Sequence, residues 1–125
     1  MGKKRFSLKA RIKSFGYAIN GIRHLIFTEH NAWIHCFAAI AVTIAGFALH
    51  ISAGEWVAVV LCFGSVFAAE AFNTAIEMIT DYISPGFDKR AGLIKDLAAG
   101  GVLFTALAAA IAGCIIFIPK IAALC

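Results

Sequence analysis

Polar residues in this chain gather in short clusters between long apolar runs, and the clusters mark where helices start and stop. Over residues 5–28, Ile12, Phe15, Ile19, Ile22 and Ile26 recur at steps of three and four, while Lys9, Arg11, Lys13 and Asn20 lie mostly off that stripe. That period predicts an amphipathic helix. Such a helix lies along a membrane surface with its apolar face down, or it packs on other helices. Thr28-Glu29-His30-Asn31 then breaks the pattern, and either Thr28 or Asn31 can cap the helix that follows.

Three apolar runs come next. Residues 32–49 form the first, slightly short of the ~20 residues that cross a bilayer. Trp33 near its start and Trp56 at the start of the second run fit the two aromatic belts of a membrane protein. Between them, Ser52 reads as a helix cap with Glu55, three residues on, as its capping-box partner. Residues 56–83 read as one helix, roughly 42 Å long at ~1.5 Å per residue, which exceeds the thickness of a bilayer core. Ser84-Pro85-Gly86 stops it, and residues 87–92 read as a loop. Residues 97–119 form the third span, opening on Ala98-Ala99-Gly100-Gly101, small residues that let membrane helices approach closely. The expected fold is all-α, with three transmembrane helices and an N-terminal surface helix in a single domain over residues 1–125.

Composition sharpens this picture. The chain has 125 residues, of which 62% are hydrophobic and 14% charged. Soluble proteins run roughly 45–50% apolar and about 25% charged, so an integral membrane protein is the class that fits. So short a chain cannot bury several spans within itself, which predicts a homo-oligomer. Lys3, Lys4, Arg5, Lys9, Arg11, Lys13 and Arg23 precede the first span, Lys89, Arg90 and Lys95 lie between the second and third, and Lys120 stands apart. Basic residues collect on the cytoplasmic side. This puts the N-terminus and residues 82–95 inside and the 50–55 turn and C-terminus outside. The basic N-terminal arm reads as a segment drawn to anionic lipid. No nucleic-acid-binding motif accompanies it, so no nucleic-acid partner is expected. Cys36, Cys62, Cys114 and Cys125 lack metal-ligand spacing. His30 and His35 do not share a helix face and read as core or interface residues.

The chemistry concentrates in residues 70–81. Glu70, Asn73, Glu77 and Asp81 fall at i, i+3, i+7 and i+11, one face of a helix that is otherwise fit for lipid. A carboxylate at mid-bilayer costs roughly 2.5–3.5 kcal/mol on the insertion scale, so such residues usually have a use. Glu29, Lys95 and Asp96 belong to the same membrane side. Several carboxylates together can hold Mg²⁺, which takes oxygen ligands and bridges to phosphates, and a lysine beside them suits a phosphate. A half-sunk carboxylate can take the proton of a lipid hydroxyl. These pieces fit phosphoryl transfer to a lipid alcohol. They also fit a small proton-coupled transporter, or a structural oligomer that uses Glu70 and Asn73 as interhelical bonding partners. Neither G-x-x-x-x-G-K-[ST] nor G-x-G-x-x-G is present.

A resemblance separates these readings. Glu70-Ala-Phe-Asn73-Thr-Ala-Ile-Glu77, followed after a loop by Ile94-Lys95-Asp96-Leu-Ala-Ala-Gly100, resembles the signature of the prokaryotic diacylglycerol kinase family, E-x-x-N-[ST]-A-[IV]-E and then [AI]-K-D-x-[AG]-[AS]-[AG]. The family includes the undecaprenol kinases. Gly16-Tyr17 with Gly21, and Glu29 ahead of the first span, match as well. The resemblance implies a homotrimer in the bacterial cytoplasmic (inner) membrane, with active sites at the cytoplasmic face and Mg·ATP as phosphoryl donor to diacylglycerol or undecaprenol. It implies that Glu70 is the catalytic base and that Asn73 positions it or the γ-phosphate. By the same resemblance Glu29 and Glu77 hold the metal of Mg·ATP, and Tyr17, Lys95 and Asp96 contact nucleotide. The chain departs from the family at two places. Gly86-Phe87-Asp88 stands where members often have Glu-Tyr-His, and Arg11 falls one place away from the arginine of the diacylglycerol kinase branch. Glu29-His30-Asn31, Ile34-His35 and Ser84-Pro85 resemble the undecaprenol-kinase branch more closely.

Overall fold

A computed structural model describes residues 5–125, so Lys3 and Lys4 of the basic arm lie outside the described residues. Four helices follow one another: α1 (Leu8–Thr28), α2 (His30–Ala48), α3 (Ala53–Ile83) and α4 (Lys89–Ala122). The last three are each long and apolar enough to cross a membrane.

Caps explain where the helices begin. The Ser7 hydroxyl accepts from the Ala10 N–H, so α1 starts at Leu8 and not at residue 5. Glu29 is extended (φ −98°, ψ 116°) and serves as both the end of α1 and the N-cap of α2. One residue therefore makes the whole corner, and neither Thr28 nor Asn31 is the cap; the Thr28 hydroxyl instead donates back to the His24 carbonyl. At α3 the capping box forms: Glu55 N–H donates to Ser52 Oγ at 3.1 Å, and Ser52 N–H donates to Glu55 Oε1 at 2.9 Å. Such a box satisfies two backbone donors that a helix start otherwise leaves orphaned. It carries the helix three residues further back than the apolar run alone suggests. At the next corner Asp88 Oδ1 accepts from Arg90 N–H at 2.8 Å. With that cap, Lys89–Gly92 is helical and α4 begins eight residues ahead of the apolar segment at Leu97.

α3 is the axis of the molecule, touched by each of the other helices. It runs antiparallel to α4, because ion pairs join them at opposite ends, Lys95 to Asp81 at one end and Lys120 Nζ to Glu55 Oε1 (3.1 Å) at the other. It runs antiparallel to α2 for the same reason: Gly46 lies under Trp56, and His35 reaches Glu70. The Trp33 indole N–H donates to the Ile26 carbonyl and ties the start of α2 to the end of α1.

The apolar core is small and sits near the α2–α3 turn. Ile51, Val59 and Ile116 form it, with Val42, Trp56, Ala58, Phe63 and Phe117 packed around them. Gly46 is required there: a Cβ on it would stand 2.6 and 2.8 Å from two ring atoms of Trp56. Elsewhere most large apolar side chains face outward. The α1 stripe of Ile12, Phe15, Ile19 and Ile22 is exposed on the single chain. Away from its contacts, α1 stands off α3 across a cleft of about 1020 Å³.

Candidate active site

The second half of α3 buries polar side chains where the first half buries apolar ones. Glu70 is 2% exposed, and Asn73, Thr74 and Thr80 are buried too. Glu77 is half-buried and Asp81 is exposed. The four members of the polar stripe therefore form a gradient along one helix face, from a sunken carboxylate to a solvated one. Helical spacing puts them on one face; the neighbouring helices decide how deep each one sits.

Some of these polar groups are paired and others are left open. Asn73 Nδ2 donates to Glu77 Oε1 at 3.2 Å, one turn along the helix. Asn73 Oδ1 and the Thr74 hydroxyl are buried with no hydrogen-bond partner among the described residues. The Thr80 hydroxyl donates to the Ile76 carbonyl at 2.6 Å. Buried polar atoms are usually paired, so an open acceptor on Asn73, beside two carboxylates, is a position at which a donor or cation is favoured. Glu70 Oε1 lies 2.9 Å from His35 Nε2 on α2. The His35 ring meets Phe67 edge-on, with centroids 6.3 Å apart and planes at 79°.

Of the remaining sequence-predicted residues, Glu29, Lys95 and Asp96 lie toward the same end of the molecule as Glu77 but are not all drawn together. Lys95 and Asp96 are adjacent in sequence, yet Lys95 Nζ pairs with Asp81 across the α3–α4 seam and Asp96 is exposed. Neighbours on a helix diverge by about 100°, which is why a Lys-Asp dipeptide does not pair with itself. Glu29 is half-buried at the α1–α2 corner, and its carboxylate makes no cap hydrogen bond. Tyr17 is 73% exposed. Among the described residues, no group of three or more His, Cys, Asp and Glu side chains is arranged to hold a metal ion. A cavity of about 650 Å³ opens between the last turns of α3 and the first of α4, bordered by Asp88 and Arg90.

His35 is the residue that sequence reasoning missed. It reads there as a core or interface histidine, and a signal it carries is that it is a polar residue at the fourth position of the apolar run over residues 32–49. Only the pairing of α2 with α3 brings it to Glu70, 35 positions away.

Residues 16–117 match the family described as prokaryotic diacylglycerol kinase. The chain is 40% identical over 117 residues to an undecaprenol kinase of Bacillus subtilis, covering 94% of this chain and 95% of that protein. It is 35% identical over 112 residues to a diacylglycerol kinase of Synechocystis sp., covering 89% of this chain and 64% of that protein.

Proposed function

This chain belongs to the prokaryotic diacylglycerol kinase family, and from that membership we propose that it moves the γ-phosphate of ATP onto the hydroxyl of a lipid alcohol at the cytoplasmic face of the inner membrane. It is a membrane lipid kinase. Undecaprenol is the acceptor favoured by similarity that runs over 95% of a relative named for it, and diacylglycerol is the second reading, favoured by the Synechocystis relative. The observation that carries the proposal is Glu70: a carboxylate 2% exposed, on a helix fit for lipid, at the head of a graded polar face.

Glu70 is the general base. It takes the proton of the acceptor hydroxyl as the alcohol oxygen bonds to the γ-phosphorus. The bond from that phosphorus to the β–γ bridging oxygen breaks, and ADP leaves. A base shielded from bulk water favours attack by the alcohol over attack by water. Asn73 orients Glu77 and presents its open Oδ1 to the reacting groups. Glu29 and Glu77 would hold magnesium, which would supply charge neutralisation on the phosphates. Their carboxylates are the hard oxygen donors this ion takes, and it is often held by one or two such groups with phosphate oxygens and water completing the shell. Lys95, Asp96 and Tyr17 contact nucleotide. Apart from charge neutralisation, the catalytic contribution is positioning, as phosphoryl transfer generally requires.

The membrane arrangement belongs to the proposal as well. Arg5, Lys9, Arg11, Lys13 and Arg23 on the N-terminal side, with Lys89, Arg90 and Lys95 at the α3–α4 corner, favour the cytoplasm for that end, and Lys120 stands alone at the other. The exposed stripe of α1 suits a helix lying on the bilayer surface. Three copies form the assembly, which gives the apolar surfaces of the single chain protein neighbours as well as lipid. The test is phosphorylation in mixed micelles with undecaprenol and diacylglycerol offered side by side. ATP-dependent transfer to either lipid, lost when magnesium is chelated, is expected. Absence of transfer to both would overturn the proposal.

A further inference from the structure

We propose that His35 is a positioning residue for the catalytic carboxylate, holding one oxygen of Glu70 so that the other is aimed at the acceptor hydroxyl; this rests on the reading of Glu70 as the base. The bond crosses from α2 to α3, with Nε2 and Oε1 at 2.9 Å. Among the described residues it is the side-chain hydrogen bond that Glu70 makes.

Three observations give the contact this role. First, Glu70 is 2% exposed, so water does not orient its carboxylate and a protein group must. A carboxylate that serves as the base only accepts hydrogen bonds, so in that role Nε2 carries the hydrogen and donates it to Oε1. Oε2 then remains as the acceptor for the lipid proton. Second, the imidazole is itself held. Phe67, one turn before Glu70 on α3, meets the ring edge-on at 79°, which limits its rotation. Both ends of the hydrogen bond are thus fixed by the same stretch of α3. Third, His35 is 21% exposed where Glu70 is 2%. It borders an apolar cavity of about 310 Å³ between α2, α3 and α4, lined by small residues such as Ala38, Ala109 and Gly113. The more accessible member of the pair is the one that borders this cavity. A base whose rotamer is locked loses little entropy in reaching the reactive geometry, and a small misplacement is costly in rate.

The test compares wild type, H35A and H35Q with an E70Q control in the same micellar assay. A glutamine amide reaches much as an imidazole Nε2 does and donates a hydrogen. H35A is expected to lower kcat by about 10-fold or more, with KM for Mg·ATP and for acceptor within about 2-fold, because the lost interaction orients a reacting group and does not bind substrate. H35Q is expected to recover most of that loss. Residue 35 as packing alone predicts no such split and no rescue by an amide. An H35A rate within about 2-fold of wild type, a loss confined to KM, or an H35Q rate as low as that of H35A overturns the proposal. If H35A does not fold, H35N, whose amide is too short to reach Oε1, is read in its place by the same criteria. The control separates the two layers. An active wild type with an inactive E70Q and an unaffected H35A removes His35 and leaves the base. An E70Q as active as wild type removes both.

Discussion

The two halves of α3 bury opposite things. Toward the α2–α3 turn, Val59 and Val66 are buried, with Trp56 seated over Gly46 and Ile51 against Ile116. Toward the α3–α4 corner, Glu70, Asn73, Thr74 and Thr80 are buried. One helix, continuous over 31 residues, is packed with hydrocarbon at one end and with hydrogen-bonding groups at the other. In lipid the apolar end gains little from the hydrophobic effect between helices and relies on close fit. The polar end is a stretch that solvation by lipid disfavours. The division separates what holds the helices together from the proposed reacting groups, and it predicts that substitutions at the two ends have different signatures.

The largest expected effect is at the polar end. E70Q removes the carboxylate proposed as the base while keeping the shape of the side chain, and should lower the rate of lipid phosphorylation by about 10²–10⁴-fold, the usual range for a positioned general base. Thermal unfolding in the same micelles should move little by comparison. A near-normal rate would dissolve the distinction between the two ends. At the apolar end the expectation reverses. G46A forces a Cβ to within 2.6 Å of Trp56, and overpacking of this kind costs typically ~1–3 kcal/mol. The unfolding midpoint should fall while the rate per folded molecule is kept. A lost rate with an unchanged midpoint would show that the close fit around Gly46 serves the chemistry. The smallest effect is at the solvated limit of the polar stripe. Asp81 is 62% exposed and its ion pair with Lys95 is open to solvent. D81N should therefore change stability by less than ~1 kcal/mol. A larger loss, read by thermal unfolding, would mean that the α3–α4 corner is held electrostatically.

Much of the polar end is legible in the chain itself. The apolar runs mark the spans because a bilayer selects for length and hydropathy, which are local properties. Helical period puts Glu70, Asn73, Glu77 and Asp81 on one face for the same reason, and Ser52 with Glu55 announces a cap within four residues. Membership of the lipid kinase family was legible in the residues from Glu70 to Glu77 and from Ile94 to Gly100. Boundaries were less so. Asp88 and Glu29 set where α4 and α2 begin, and both lie ahead of the apolar runs that mark those spans, Glu29 by three residues and Asp88 by nine.

What only the tertiary structure decided are the pairings between helices. Lys95 stands next to Asp96 in the chain yet bonds to Asp81. Trp56 needs a glycine ten positions back. His35 is an unremarked residue until α2 folds against α3 and lays it on Glu70. Composition and periodicity describe one helix at a time, whereas these contacts depend on the register of one helix against another. That register is set by how side chains interdigitate along the seam, a property no single segment carries.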